Sequence, residues 1–357
     1  MVIENTGFYS SKIGCLAKGC RQCVKGEKLV LFITGLCPRK CYYCPLSDEK
    51  YGRDVIYANE RPVKNAKAAI VEAELCSSRG AGITGGDPLA RMDRTVRFIK
   101  ALKKRFGQKF HTHLYTSFNL VDENKLRKLY DAGLDEIRFH PDIDDDNLWC
   151  KIGVIRKFDW DVGIEIPAIP GKLRQMKKMV DFFNDKIDFL NLNELEVADN
   201  KISKLGEMGF ITRDMLSYSV KGSEGAAYKI MKYCIYKEYN LDVHYCTAKL
   251  KDTVQLGKRI KRRAKKIAKS YDIVDEEGIL VRGAIHCRDL AKVRKELMKE
   301  FDIPGELIDI DDARERLLTS VEIVEELKEE LKKKGLKPVI VEEYPTWDRL
   351  QLTVNYL

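Results

Sequence analysis

Short apolar runs alternate along this chain with longer amphipathic, charge-rich stretches. Runs at residues 28–34, 81–84, 111–116, 136–140, 162–167 and 189–193 have the length and residue types of buried strands. Between them apolar side chains recur at three- and four-residue spacing, as in Val96, Ile99 and Leu102 or Leu126, Leu129 and Tyr130, which predicts helices. Gly133 and Gly171 punctuate the joins. Strands alternating with helices form a parallel sheet covered by helices. No motif recurs from unit to unit, which argues against a solenoid. The expected fold class is therefore α/β, a partial (β/α)6-type barrel, extended by a helix near 224–239 and a strand at 242–246.

The pattern changes after Cys246. Residues 249–269 carry Lys249, Lys251, Lys258, Arg259, Lys261, Arg262, Arg263, Lys265, Lys266 and Lys269 against one acid, Asp252. Leu256, Ile260, Ala264 and Ile267 repeat at helical spacing, so one stripe can pack while the other faces present cations. Farther on, Thr319 with Glu322 reads as a capping box, Gly335 as a helix stop, and 339–341 and 350–354 as strands. This divides the chain into a Cys-rich segment (1–27), a barrel domain (28–248), and a basic helix with a smaller α+β domain (249–357).

The chain has 357 residues, with 64 Lys plus Arg against 55 Asp plus Glu for a formal charge of +9. That balance allows an anionic partner such as RNA, although no aromatic-rich RNA motif interleaves the basic residues. No apolar run approaches the ~20 residues a membrane helix needs. The start, Met1-Val2-Ile3-Glu4-Asn5, lacks a basic segment followed by an apolar one, so a cytoplasmic location is expected. Eleven cysteines in such a chain read as metal or redox ligands rather than a disulfide framework. Six of them fall within the first 44 residues.

Three of the six lie in Gly35-Leu36-Cys37-Pro38-Arg39-Lys40-Cys41-Tyr42-Tyr43-Cys44-Pro45, directly after the first strand, where α/β enzymes place their ligands. Cysteines at i, i+4 and i+7 can bring three thiolates onto one cluster. A four-iron cluster normally takes four, so three leave one iron open to another ligand. The alternative reading is a zinc loop or an electron-transfer cluster.

The arrangement resembles the radical S-adenosylmethionine (SAM) superfamily. The resemblance implies a [4Fe-4S] cluster on Cys37, Cys41 and Cys44 that binds and cleaves SAM, with Tyr43 over the adenine. Thr84-Gly85-Gly86-Asp87-Pro88, at the end of the second strand, is similar to the family's Gly-Gly-Glu-Pro motif, with Asp87 in place of Glu. Gly85, Gly86 and Asp87 are thereby implied to hold the methionine end. Thr116 and Ser117 stand where many members carry a Thr-Asn-Gly region, and Ser117 departs from it. Arg138, His140 and Glu165 are polar residues on buried strands, which are costly unless satisfied, and are candidates for SAM carboxylate or ribose contacts. The resemblance spans about residues 28–200, and is nearest to an archaeal-type group described as related to pyruvate formate-lyase activating enzymes. It implies an electron donor such as flavodoxin or ferredoxin.

Cys15, Cys20 and Cys23 precede the first strand, and Cys20 with Cys23 forms the clip common to zinc and iron-sulfur sites. With His244 and Cys246 they form a possible second metal site, zinc being preferred over an auxiliary cluster because His is a possible ligand. Two substrate classes remain. RNA or tRNA is favoured by the basic helix, and a protein, including a glycyl-radical enzyme, by the nearest family description. A non-catalytic iron-sulfur or RNA-binding protein is the different-class alternative.

Overall fold

The computed structural model describes residues 1–357, which divide into two compact units: 1–74 with 78–256, and 75–77 with 257–357. The first unit is built on seven parallel strands: β1 (Lys28–Phe32), β2 (Gly80–Thr84), β3 (His111–Thr116), β4 (Glu136–Phe139), β5 (Asp161–Ala168), β6 (Phe189–Glu194) and β7 (Asp242–Cys246). They lie side by side in sequence order, each paired in parallel with the next. Antiparallel pairs close both margins, Ser11–Ile13 against β7 and Tyr57–Ala58 against β1, so the barrel is open. The helices are α1 (Lys18–Cys23), α2 (Ala66–Leu75), α3 (Met92–Phe106), α4 (Glu123–Asp131), α5 (Ile152–Ile155), α6 (Leu173–Phe183) and α7 (Ser223–Tyr236).

Strand residues alternate between two faces. On one face Ile137, Ile164, Ile166, Leu190, Leu192 and Val243 are buried in a core shared with Phe98, Leu102, Leu129, Met179, Val180 and Ile230 of the helices. The opposite positions are polar: His111, His113 and Tyr115 on β3, Glu136 and Arg138 on β4, Glu165 on β5, Asn191 and Asn193 on β6, and His244 and Cys246 on β7. Register aligns Glu165 with Asn191 and Asn191 with His244, and in the next row Asn193 with Cys246. Helix α1 lies against this polar face. The Gly19 N–H donates to Glu136 Oε2 at 2.9 Å, and a Cβ on Gly19 would stand 2.5 Å from Arg138 Nη2. A six-residue helix is unstable alone, so α1 owes its existence to this packing.

The second unit starts with α8 (Gly257–Ile267) and continues through β8 (Leu280–His286), α9 (Leu290–Glu300), β9 (Ile308–Asp311), β10 (Arg316–Thr319), α10 (Val321–Glu326), α11 (Lys328–Lys333), β11 (Lys337–Glu343) and β12 (Gln351–Tyr356). Its sheet is antiparallel in the order β9-β10-β8-β11-β12, with Ile273–Val274 beside β8. Ile285, Leu317, Leu297, Val324 and Leu331 form one core, and Ala284, Leu318, Val339, Val341 and Tyr271 another. Arg316 is fully buried, donating to Asp311 at 2.9 Å and to Glu343.

Two local expectations shift. The α10 cap is Ser320, whose hydroxyl accepts from the Ile323 N–H at 3.3 Å, because Thr319 is still paired within the sheet. The basic stretch opens with a π-helical segment, Leu250–Leu256, before α8 begins. In α8, Ile260 and Ala264 are buried, but so is Arg263, which donates to the Pro345 carbonyl.

Candidate active site

The loop after β1 is fixed by close backbone approach. Gly35 N–H donates to the Arg53 carbonyl at 2.8 Å, and a Cβ on Gly35 would collide with the Lys50 carbonyl oxygen. Across from it, Gly86 N–H donates to Thr34 O at 2.7 Å and Asp87 N–H to Leu36 O at 2.8 Å. A Cβ on Gly86 would lie 2.4 Å from Leu36 O. The glycines of β2's end thus let two strand ends meet beside the cysteines.

Cys37, Cys41 and Cys44 line one cavity of about 670 Å³ at the carboxyl ends of the strands. Tyr43, Gly85, Gly86, Thr116, Ser117, Arg138, His140 and Glu165 line the same cavity. Burial pushes all three thiols above their ordinary value, Cys37 to about 11. Three soft donors on one loop suit an iron cluster, whose positive irons would hold them as thiolates. The donor set and shared cavity fit both a three-cysteine cluster and a ligand of SAM's size.

At the floor, Glu165 accepts from Arg138 Nη1 at 2.8 Å, Asn191 Nδ2 at 2.8 Å and Asn193 Nδ2 at 2.9 Å. Burial alone would raise its carboxyl; Arg138 and the two amides outweigh this and hold it below its ordinary value. Arg138 also donates to Glu136 Oε1 at 2.6 Å and to the Tyr115 hydroxyl at 3.1 Å. Arg138 and Glu165 therefore neutralise each other and stand as a fixed, hydrogen-bonded polar pair in the cavity wall.

His140 Nδ1 lies 2.8 Å from the Glu165 carbonyl oxygen, which can only accept, so Nδ1 carries the proton. Nε2 then accepts from the Tyr43 hydroxyl at 2.9 Å. Burial lowers the His140 pKa to about 4, keeping the ring neutral at neutral pH. Tyr43, from the cysteine motif, is thereby pinned to the end of β4.

Asp87 is fully buried and is absent from the cavity wall. Its carboxylate accepts from Leu89 N–H at 3.0 Å, Thr116 Oγ1 at 2.8 Å, Ser117 N–H at 3.1 Å and Ser117 Oγ at 2.8 Å. It ties the third strand's end to the glycine turn.

Three features were missed by sequence reading. Arg39 donates to the His140 carbonyl at 2.7 Å and pairs with Asp142 at 3.1 Å, locking the cysteine loop to β4. Asn200 donates to the Cys44 and Leu46 carbonyls at 3.0 and 2.9 Å, holding the loop from the β6 side. Asn191 and Asn193 complete the Glu165 cradle. The last pair carried a legible signal, amides at alternate positions of an otherwise apolar strand; Arg39 and Asn200, on loops, carried none.

The proposed second set is only partly gathered. Cys15 is exposed, on a turn held by Asp242 accepting its N–H at 2.9 Å. Cys20 is buried and its sulfur accepts from Asn191 Nδ2 at 3.3 Å and Arg138 Nη2 at 3.4 Å. His244 Nε2 lies 3.3 Å from Ser10 Oγ. No three ligand atoms of the set lie within 4.8 Å of one another. Around a tetrahedral zinc, thiolate sulfurs stand about 3.8 Å apart, so a preformed zinc cage including Cys15 is not what the fold builds.

The parallel sheet with three cysteines after its first strand accords with the comparisons: the radical SAM superfamily model matches residues 31–182, and the chain belongs to that superfamily. Over its whole length it is 42% identical to a Methanocaldococcus jannaschii protein provisionally named glycyl-radical enzyme activating enzyme MJ0021, covering 94% of this chain and 92% of that one. Residues 278–356 match a domain of unknown function, DUF8061. Among solved structures, Streptococcus suis SuiB bound to precursor peptide SuiA aligns with a TM-score of 0.43 at 16% identity, over 62% of this chain and 48% of that one, so this chain spans about half of SuiB's length. Methylornithine synthase (PylB) aligns with a TM-score of 0.38 at 12% identity, over 61% of this chain and 70% of that one. The protein is an enzyme that uses a [4Fe-4S] cluster and SAM. No helix is long and apolar enough to cross a membrane.

Proposed function

We propose that this enzyme abstracts a hydrogen atom from a protein substrate at the mouth of the cavity, as an activating or modifying enzyme. The observation that carries the reading is the single cavity in which the three loop cysteines, Gly85-Gly86 and the Arg138-Glu165 pair converge. When bound, the cluster and SAM supply a 5′-deoxyadenosyl radical after one-electron reduction, from a donor such as flavodoxin or ferredoxin. Cys37, Cys41 and Cys44 would hold the cluster. The Gly85 and Gly86 backbone, Arg138 and Glu165 would orient the methionine and ribose portions, and Tyr43, braced by His140, would cover the adenine. These walls would position the bound cofactor and keep water from the reacting carbon.

A protein is favoured over RNA on two grounds. The relative's name concerns an enzyme that activates another protein. At the cavity, Tyr218 is part of the wall, and the adjoining Met215 and Leu216 are almost fully exposed. Between residues 207 and 221 the charges of Glu207, Arg213, Asp214 and Lys221 cancel, which offers phosphates little attraction and an apolar polypeptide surface more.

The test supplies the reduced enzyme and SAM with a proteome labelled with deuterated glycine, free of RNA, or with deuterium-labelled RNA free of protein. Deuterium in 5′-deoxyadenosine from the labelled proteome is the expected result. Transfer only from RNA would move the substrate to the other class.

A further inference from the structure

We infer that the polar interior of the first unit holds a second iron-sulfur cluster, ligated by Cys20, Cys23 and Cys246 with His244 as the fourth ligand. Helix α1 carries Cys20 and Cys23 one turn apart against the polar sheet face. Cys246, at the end of β7, packs in one apolar cluster with Val24, Leu250 and Val254, next to Cys23. His244 lies two residues before Cys246 and so shares its face.

His244 is 3% exposed, and its Nδ1 has no hydrogen-bond partner. Its other nitrogen is anchored at Ser10, the arrangement by which proteins orient a ligating imidazole. The Cys20 sulfur also accepts from Arg138 Nη2 at 3.4 Å and from Asn191 Nδ2 at 3.3 Å, donors of the kind that stabilise a cluster-bound thiolate.

Spacing speaks against a single ion: around a tetrahedral zinc the thiolate sulfurs stand about 3.8 Å apart, whereas no three ligand atoms of the interior set lie within 4.8 Å of one another. Its location adds a role: Arg138 and Asn191 each bridge Cys20 to Glu165 on the cavity wall, so the second centre would lie directly behind the floor of the candidate active site.

The experiment reconstitutes the full chain anaerobically with iron and sulfide and measures both, with zinc, per chain. The parent is expected to hold about eight irons, and the variant Cys37→Ala, Cys41→Ala, Cys44→Ala about four, with an electron paramagnetic resonance signal on reduction. Adding Cys23→Ser and Cys246→Ser should remove the remainder. Should the triple variant not fold, Cys23→Ser alone should halve the parent's iron while leaving dithionite-driven SAM cleavage in place. A parent that holds only about four irons, or one zinc and no iron in the triple variant, overturns the inference. Neither result bears on the hydrogen-abstraction reading, which depends on the other three cysteines.

Discussion

Asp87 shows how a motif residue can organise the backbone around it. Its carboxylate accepts four hydrogen bonds in a fully buried position. Asp87→Asn would turn part of that acceptor into a donor facing other donors, each stranded group costing about 1–3 kcal/mol. A clear fall in the melting temperature of the metal-free protein and weaker SAM binding by calorimetry are expected; unchanged values for both would show that the network is unimportant. His140 gives a pH prediction. Its folded pKa, about 4, lies below the ordinary value of about 6.5. The unfolded chain therefore binds the extra proton first, and this contribution to stability, complete above pH 6.5, is lost as pH falls towards 4. The melting temperature of metal-free protein should decline across that window, and His140→Gln should flatten the decline. An equally steep decline in the variant would assign it to other groups.

At the scale of elements, the strands of the parallel sheet were legible because their length and apolar content leave few alternatives, whereas β8, β9 and β10 of the second unit were not read from the sequence. The runs at 111–116 and 242–246 coincide with β3 and β7, and the others differ by a residue or two at their ends. Helix α1 was illegible: a six-residue Gly- and Cys-containing segment has no periodicity, and only burial against Glu136 and Arg138 makes it helical. The cysteine loop and the glycine turn were legible as motifs, while their mutual approach required the coordinates. Gly86→Ala would press a methyl against the Leu36 carbonyl and displace the loop. Since misplacement by ~1 Å can cost about 100-fold, 5′-deoxyadenosine formation should fall on that order with the fold intact by circular dichroism; a rate near the parent's would contradict the packing argument. In the second unit, Arg316→Met would leave Asp311 and Glu343 short of their buried partner. Removing one member of such a pair costs about 3–5 kcal/mol, so the chemical-denaturation midpoint should shift markedly downwards, and an unmoved midpoint would show the network to be dispensable.

For the molecule as a whole, net charge alone does not choose the substrate class. The +9 formal charge and the basic helix suggested RNA, yet Arg263 is spent within its own unit, donating to the Pro345 carbonyl. Lys261, Lys265 and Lys266 remain exposed. Replacing those three by Gln should leave deuterium transfer from the labelled proteome unchanged; a loss of transfer would return the basic helix to the substrate path. The central claim is that SAM is cleaved at the loop cysteines, and one comparison tests it most directly: anaerobically reconstituted parent and Cys41→Ala protein, each given SAM and a strong reductant, with 5′-deoxyadenosine and methionine quantified. The parent should form both in equal amounts and only with the reductant, and the variant should form neither above background. Undiminished cleavage by Cys41→Ala, or none by a parent whose cluster is intact, would contradict the assignment.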